Sequence, residues 1–338
     1  MSAASWNIVR YDRSLKKEWD EFVTHSRNST FLFMRDYMDY HSHIFADYSL
    51  MGYRNGKLAA LLPANNHGGK LYSHQGLTYG GWILAPQGID AEDVYNLWRE
   101  WLLICKTNGI DTVLYKPLPY VYALRPSQED LFLLFLCNSR LIRTDMASVI
   151  DFSSNPGFNK LQKRHLKESS SSVRKEIIDG RNQEKIESFH RLLTDCLASR
   201  HDARPVHSVG ELKYLMSHFP ENIKIWSLFK TGNEEMQAGV AVYITPMCVH
   251  CQYIATSAEG RENNVLASLF ADMIDYYCKE GFRYFDFGIS NECNGRVLNT
   301  GLNRQKTSYG GSGVAYQQFE INVTSALESL SVGIWPAK

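Results

Sequence analysis

Several residues with chemical potential lie at the end of one strand, in the stretch YFDFGISNE at 284–292. Asp286 lies within the strand, and Ser290 and Asn291 follow where it breaks. The next segment, CNGRVLNTGLNRQKTSYGG, holds four glycines, several amides and one lysine, Lys306. A strand that serves only as scaffold usually ends in a simple turn. This strand is therefore predicted to deliver polar groups to a functional site.

The position of Asp286 between two aromatic residues limits the roles that its carboxylate can have. Side chains alternate along a strand, so Asp286 is predicted to point to the sheet face opposite Phe285 and Phe287. A carboxylate in such surroundings must be paired or shifted in pKa. Three roles remain open: a general base, an anchor for a bound amine, or an orienting ion pair with a partner such as Arg283 or Arg304. The orienting role is favoured.

A second group of polar residues is the loop SRHDARPVH at 199–207, which brings Arg200, His201, Arg204 and His207 together. Guanidinium groups match the bidentate geometry of phosphate oxygens, so such a cluster suits a phosphate or a diphosphate. The alternative is a solvated helix end, where cations are also favourable. Both interpretations stay open at this point.

Composition limits the classes of function. Lys+Arg and Asp+Glu are both 36 in 338 residues, which gives no global field to hold a polyanion or a membrane surface. The longest apolar run, LFLLFLC at 131–137, is too short to span a bilayer, so no membrane insertion is expected. The N-terminus lacks the pattern of a secretory signal, which predicts a cytoplasmic protein with reduced thiols.

The pair Cys248 and Cys251 forms a CxxC motif, which is a weak indication of a metal site. The motif lies inside MCVHCQYIATS, where apolar and polar residues alternate as in a strand. No second CxxC or HxxxH motif supplies the remaining ligands of a tetrahedral centre. We therefore predict no metal.

The order of predicted elements occurs twice along the chain. Each half reads as two helices, three strands, a helix, a strand, and a closing helix and strand. In the first half the third strand is predicted over 70–84, and the closing strands of the two halves are MASVIDF at 146–152 and VAYQQFEI at 314–321. We predict domains at 1–150 and 151–320. A C-terminal tail at 321–338 would pack back on the first domain.

This order is that of the GNAT acyltransferase fold, so the fold class expected is mixed α/β, with two tandem GNAT-like domains of a mixed sheet flanked by helices. The chain also resembles the Fem-type nonribosomal peptidyltransferases and their acetyltransferase-like relatives, which are tandem GNAT proteins. The resemblance rests on short motifs: SVRKEIIDG at 172–180, read as a basic helix ending in glycine, SRHDARPVH, YFDFGIS with GLNRQK, and in the first half YSHQGLTYGG and LYKPLPYVY.

The chain departs from the family pattern at several positions. Gln305 stands where the family often has Phe before the lysine, Ile289 replaces a second glycine, and Lys116 stands where a family member carries an aspartate. The loop that offers backbone N–H groups to a pyrophosphate in acetyl-CoA-dependent members is absent, and SAEGRENNVLAS fills its place.

The resemblance implies roles for individual residues. Lys306 would stabilise the negative charge that develops during acyl transfer, and Asp286 would act beside it. Arg204 would hold the diphosphate of a nucleotide-linked saccharide. The substrate-binding residues expected are Arg204, His201, Ser290, Asn291, Lys116, Tyr115, His74 and His41, the two histidines 41 and 74 being the weaker candidates.

The predicted function is transfer of an acyl group from an activated donor, preferably acyl-CoA as co-substrate, to an amine of a nucleotide-linked sugar or cell-envelope precursor. An aminoacyl-tRNA donor is disfavoured, because tRNA binding relies on phosphate neutralisation and the net charge is balanced. Two alternatives remain: a Fem-type peptidyltransferase that uses aminoacyl-tRNA, and a non-catalytic binding protein of the GNAT fold that has lost donor recognition.

Overall fold

The structure is a computed structural model that describes residues 5–169, 173–201 and 204–331, with the side chains of His41, Arg200 and His201 outside the described part. The chain forms two compact units. The first unit comprises 1–145, 293–296 and 315–338, and the second comprises 146–292 and 297–314. The predicted domain boundaries at 150 and 320 stay a prediction of domain organisation.

The helices of the described residues are α1 (Lys16–His25), α2 (Arg35–Met38), α3 (Ala91–Thr107), α4 (Glu129–Leu136), α5 (Lys160–Glu168), α6 (Gln183–His201), α7 (Val209–His218), α8 (Ala258–Glu262), α9 (Val265–Lys279), α10 (Thr300–Ser308) and α11 (Val323–Ser331). Within the described part of the chain, no helix is long and apolar enough to cross a membrane.

The strands of the described residues are β1 (Trp6–Arg10), β2 (Leu50–Arg54), β3 (Lys57–Leu62), β4 (Asn65–His67), β5 (Lys70–Tyr72), β6 (Ile83–Leu84), β7 (Thr112–Tyr115), β8 (Arg140–Asp151), β9 (Val173–Ile178), β10 (Ile223–Lys230), β11 (Met236–Ile244), β12 (Cys248–Thr256), β13 (Tyr284–Ile289), β14 (Asn291–Glu292), β15 (Val297–Leu298) and β16 (Ser312–Asn322).

In the first unit, β1, β2, β3 and β6 form an antiparallel sheet. The hairpin of β4 and β5 continues into β7, which runs parallel to β5. Helix α3 packs its apolar face on this unit's core, and it begins with a capping box between Asp90 and Asp93. Apolar residues recur along α3 at helical spacing, and two tryptophans on this face, Trp98 and Trp101, are wholly buried. Helix α11 contributes Val323 and Leu330 to the same core.

The single long strand predicted over 70–84 is wrong. The segment forms two short strands, β5 and β6, separated by the loop 73–82. The chain turns away after β5 because His74 adopts a positive φ of 67° and Gly81 one of 84°. The alternation of apolar and polar residues in this loop therefore reflects burial without strand pairing, since Leu77, Tyr79 and Trp82 are buried.

In the second unit, β9, β10, β11 and β12 are antiparallel neighbours, and β12 then pairs in parallel with β13. Helix α9 covers one face of this sheet, where Phe270 packs against Phe285 and Phe287 of β13. Asp286 lies between these two aromatic residues and is not part of that apolar cluster.

The basic helix expected at 172–180 is also wrong, because the described part of this segment is strand β9. Its residues pair with β10 from Val173↔Lys230 to Ile178↔Ile225. Arg174 and Lys175 are exposed, as on an edge strand, and Ile178 is buried. A cluster of basic residues followed by glycine matched the family motif, yet the available edge of β10 determined the conformation.

The closing strands correct a further expectation. Residues 147–151 of β8, predicted to close the first half, pair with β13 in the second unit. Residues 319–322 of β16, predicted to close the second half, pair with β7 in the first unit. Each unit therefore takes its last strand from the other half of the sequence.

Candidate active site

The candidate site lies where two parallel strands of the second unit diverge. Strands β12 and β13 pair at only three positions, which end at His250↔Asp286. β12 continues to Thr256, while the pairing of β13 with β8 shifts its register between Asp286 and Ile289. Gly288 makes this bulge possible, because its φ of +75° is a conformation that residues with a Cβ rarely adopt.

Asp286 is wholly buried, with none of its side chain exposed, and each of its carboxylate oxygens lies within hydrogen-bonding distance of a partner. The backbone N–H of Gly288 donates to Oδ1 at 2.7 Å. His250 lies opposite on β12, and its Nδ1 is 2.9 Å from Oδ2. The partner of Asp286 is thus His250, whereas Arg283, one of the partners considered from the sequence, pairs with Asp151.

Lys306 reaches the same place from α10, and its residue is 5% exposed. Its Nζ donates to the carbonyl oxygen of Gly288 at 2.9 Å and to that of Ile289 at 2.5 Å. Burial lowers the pKa of Lys306 to about 8, although the negative charge of Asp286 acts in the opposite direction. The Lys306 ammonium therefore lies at the bulge, and its pKa of about 8 is well below the ordinary value of 10.5.

Ser290 and Asn291 extend the site along the chain. Ser290 is almost fully buried, and its Oγ makes no hydrogen bond to any described residue. The Oδ1 of Asn291 accepts the backbone N–H of Met146 at 2.5 Å, which ties this segment to the adjacent strand. Asp286, Ser290, Asn291 and Lys306 are thus brought together, as their order in the sequence predicts.

The two cysteines of the CxxC motif are buried on β12 and are not joined in a disulfide. Burial raises the pKa of Cys251 well above its usual range, so it is a thiol at neutral pH. Over residues 5–169, 173–201 and 204–331, no group of three or more His, Cys, Asp or Glu side chains is placed to hold a metal ion.

A pocket of about 250 Å³ lies at the N-terminal end of α9. Ser257 caps the preceding short helix by accepting the N–H of Gly260, and the Arg261 guanidinium donates to the Thr256 carbonyl at 2.7 Å. No carboxylate is among the residues that line the pocket, which are Gln162, His165, Thr256, Gly260, Arg261, Asn264, Leu266, Ala267, Gln305 and Tyr309.

The sequence pattern of the family described as "Acetyltransferase (GNAT) domain" matches residues 160–294. This part of the chain is a GNAT acetyltransferase domain. It contains His250, Asp286 and the start of α9, so the divergence of β12 and β13 belongs to the acetyltransferase domain itself. The match identifies the protein as an N-acyltransferase. No curated protein is significantly similar in sequence to the chain.

Solved structures with the same fold cover nearly the whole chain. FemX is 12% identical, with a TM-score of 0.68 over 95% of this chain and 99% of that one. L-PGS from Bacillus licheniformis is 13% identical, with a TM-score of 0.58 over 95% and 97%. A tandem GNAT protein from the clavulanic acid biosynthesis pathway is 9% identical, with a TM-score of 0.51 over 94% and 99%. These similarities confirm the predicted mixed α/β fold of tandem GNAT type.

The basic loop that follows α6 lies partly within the described residues of the GNAT domain. Arg204 is exposed, while the side chain of His201 lies outside the described part. His207 is buried, and its Nδ1 is 2.6 Å from the hydroxyl of Tyr253 on β12. The loop is therefore attached to the strand that carries His250, and Arg204 stays a predicted anion ligand.

The remaining candidate residues lie in the first unit. The buried Tyr115 donates its hydroxyl hydrogen to Asp130 at 3.2 Å and accepts the Trp82 N–H at 2.9 Å. The Nζ of Lys116 donates to the Leu77 carbonyl at 2.5 Å. His74 is buried and packs edge to face on Phe45, while the side chain of His41 lies outside the described residues. Their substrate-binding roles stay predictions.

Sequence reasoning missed His250. The residue lies within the alternating strand MCVHCQYIATS, between the two cysteines of the CxxC motif. Its significance depends on the parallel register that places it opposite Asp286, thirty-six positions away. The available signal was a single polar aromatic residue on a strand predicted to adjoin the strand of Asp286.

Proposed function

We propose that the protein transfers an acyl group from acyl-CoA to an amine of a nucleotide-linked sugar or cell-envelope precursor. The observation that carries this proposal is the buried ammonium of Lys306 at the divergence of β12 and β13. An ammonium has three N–H donors, and two are used by the Gly288 and Ile289 carbonyls. The third is available to an oxygen that becomes negative during acyl transfer.

The surroundings of Lys306 favour this role. In a buried site, an oriented positive charge stabilises a developing oxyanion or thiolate more than it would in water. Asp286 favours the charged form of the lysine against the cost of burial. The two backbone carbonyls also fix the position of Nζ, so little reorganisation is needed when charge develops.

The pocket at the start of α9 supports an acyl donor that carries a diphosphate, as acyl-CoA does. The positive end of a helix dipole and its free N–H groups favour anions such as a diphosphate. Arg261 adds a guanidinium at the same place, and no carboxylate opposes it. These features favour acyl-CoA, although the usual glycine-rich loop is replaced by SAEGRENN.

Direct assay of donors and acceptors tests the proposal. The intact protein would be incubated with acyl-CoA or aminoacyl-tRNA and a panel of amino-sugar nucleotides, and products would be detected by mass spectrometry. We expect amide formation with acyl-CoA and stabilisation against heating, since a ligand at a hundred times its Kd adds about 2.7 kcal/mol. Transfer only from aminoacyl-tRNA would establish the Fem-type alternative. Binding without transfer from either donor would indicate a non-catalytic protein.

Arg204 provides a test of the acceptor. If its guanidinium holds a diphosphate, Arg204→Ala should raise KM for the nucleotide-linked acceptor about tenfold, because a charge-assisted hydrogen bond is lost, and should leave kcat nearly unchanged. Arg181→Ala is a matched control, since Arg181 is an exposed arginine of the same unit that pairs with Asp179. Equal KM values for the Arg204 variant and the parent would exclude the diphosphate role.

A further inference from the structure

The hydrogen bonds of Asp286 fix the state of the His250 ring. Oδ1 accepts from the Gly288 N–H and Oδ2 faces His250 Nδ1. A buried carboxylate in this arrangement is an acceptor at both oxygens, so Nδ1 must carry the hydrogen. The other ring nitrogen, Nε2, then holds its lone pair in the plane of the ring. This is the tautomer that can accept a proton from a substrate.

The His250 ring is also partly exposed. The His250 side chain is 15% exposed, whereas that of Asp286 is fully enclosed. An enclosed carboxylate that orients a partly exposed imidazole is the arrangement of an acid–base pair, in which the carboxylate also stabilises the imidazolium once it forms.

One residue, Gly288, connects this pair to Lys306. Its N–H bonds to Asp286, its carbonyl accepts from Lys306, and a Cβ at this position would lie 3.2 Å from His250 Cε1. The imidazole and the ammonium therefore lie on two sides of the same glycine. A reacting carbonyl near Gly288 would have a base and a positive charge within reach.

We infer that His250 is the general base that deprotonates the acceptor amine and that Asp286 is the positioning residue that fixes its tautomer. The inference rests on the proposed acyl transfer and assigns the proton path within it. Neither residue could have been paired from the sequence, because the contact depends on the register of β12 and β13.

Proton transfer from the acceptor to His250 starts the proposed step. Nε2 of His250 takes one proton from the ammonium form of the acceptor, and the freed lone pair forms a C–N bond to the thioester carbonyl carbon. The carbonyl π pair moves to oxygen, where the Lys306 ammonium stabilises it. When the carbonyl re-forms, the C–S pair leaves as thiolate, which takes the remaining surplus proton from nitrogen. The imidazolium then releases its proton to solvent.

Substitution with chemical rescue tests the base. His250→Ala should lower kcat with acyl-CoA and amine by about 10²–10⁴-fold, with the KM for acyl-CoA nearly unchanged. Added imidazole should restore part of the rate, and acceptor amines of low pKa should be affected less. His218→Ala is the matched control, because His218 is an exposed histidine of the same unit. If His250→Ala does not fold, His250→Asn keeps a donor toward Asp286 and lacks the base.

The positioning role has its own readout. Asp286→Asn presents an N–H₂ group to Nδ1 and should move the hydrogen to Nε2, with a loss of rate close to that of His250→Ala. The double variant should be no slower than either single one, since the two residues act as a unit. Nitrogen NMR of labelled histidine should show hydrogen on Nδ1 in the parent and on Nε2 in Asp286→Asn.

The outcomes separate the two levels of the account. If the parent forms no amide from any donor, the proposed function fails, and NMR still reports the tautomer. If the parent is active and His250→Ala keeps its rate, or loses it without rescue by imidazole, the assignment of the base is wrong. Hydrogen on Nε2 in the parent would overturn it independently of any activity.

Discussion

Both units place a partly or fully buried lysine where a pair of parallel strands diverges. In the second unit Lys306 donates to the carbonyls of Gly288 and Ile289, and in the first unit Lys116 donates to that of Leu77. Burial lowers the pKa of each lysine to about 8. Each site therefore holds a lysine whose pKa is lowered by burial, and other features distinguish the two sites.

The charges around the two lysines have opposite signs. Asp286 acts to raise the pKa of Lys306, whereas the next contribution at Lys116 after burial is Arg143, which lowers the pKa. A neighbouring carboxylate keeps an ammonium charged, and a neighbouring guanidinium favours its loss. Only the second unit combines its lysine with an orienting histidine and aspartate in the described residues.

The backbone around the two divergences differs as well. In the first unit the loop 73–82 folds onto the end of β7, where the Gly80 N–H bonds to the Lys116 carbonyl and the Lys116 N–H bonds to the Ser73 hydroxyl. In the second unit, the side chain of Lys306 contacts the end of β13 instead, through the Gly288 and Ile289 carbonyls. The divergence of β5 and β7 in the first unit is thus closed by the loop 73–82. The divergence of β12 and β13 in the second unit is lined by the side chains of His250, Asp286 and Lys306.

A large effect that tests this contrast is expected for Gly288→Ala. The new Cβ would lie 3.2 Å from the His250 ring, and the φ of +75° would cost about 1–2 kcal/mol for alanine. We expect turnover to fall about a hundredfold with only a modest loss of thermal stability, because the strain falls on catalytic geometry. Steady-state kinetics and thermal unfolding check this. A variant with parental turnover would show that the bulge is only scaffold.

The next effect concerns pH. The folded pKa of Lys306, about 8, lies below its ordinary value of 10.5, so the ammonium is intact below about pH 8 and is lost above it. If the ammonium stabilises charge, the rate should fall above pH 8 by about tenfold per unit, as for a single proton. The residual rate of Lys306→Met should lack this limb. A falling limb retained in that variant would assign it to another group.

The smallest effect on turnover is expected for Gly80→Ala in the first unit. A Cβ at Gly80 would lie 2.0 Å from the Ser73 carbonyl oxygen, so the loop must shift. We expect a loss of roughly 2 kcal/mol or more of stability with the turnover of the remaining folded protein within a few-fold of the parent. Calorimetry and active-site-normalised kinetics separate the two quantities. A large loss of turnover at unchanged stability would give the first unit a direct part in the chemistry.

Local patterns predicted much of the fold. The alternation of Phe285, Asp286 and Phe287 indicates which face of the sheet each side chain occupies. The spacing of apolar residues along α3 indicates which side of that helix is buried. These features depend on neighbours within one turn or one strand. The position of Lys306 beside the end of β13 was also predictable, because its motif follows the strand directly in the sequence.

Features that depend on distant pairing were not predictable. β9 was read as a helix because the free edge of β10 that captures it lies some fifty residues away. The loop 73–82 has the sequence pattern of a strand because apolar residues such as Leu77 and Tyr79 are buried two positions apart, although the loop has no partner strand. His250 gained its role only through the parallel register with Asp286, and no local signal encodes that register.

The most direct measurement compares the same substitution at the two lysines. Lys306→Met and Lys116→Met each remove one ammonium whose pKa is lowered by burial, and both would be assayed by single-turnover acyl transfer with saturating donor and acceptor. We expect a loss of about a hundredfold or more for Lys306→Met, with nearly unchanged substrate affinity, and a rate within a few-fold of the parent for Lys116→Met. Equal losses at the two positions, or a Lys306→Met protein that is folded and nearly as fast as the parent, would contradict the assignment of acyl transfer to the second unit.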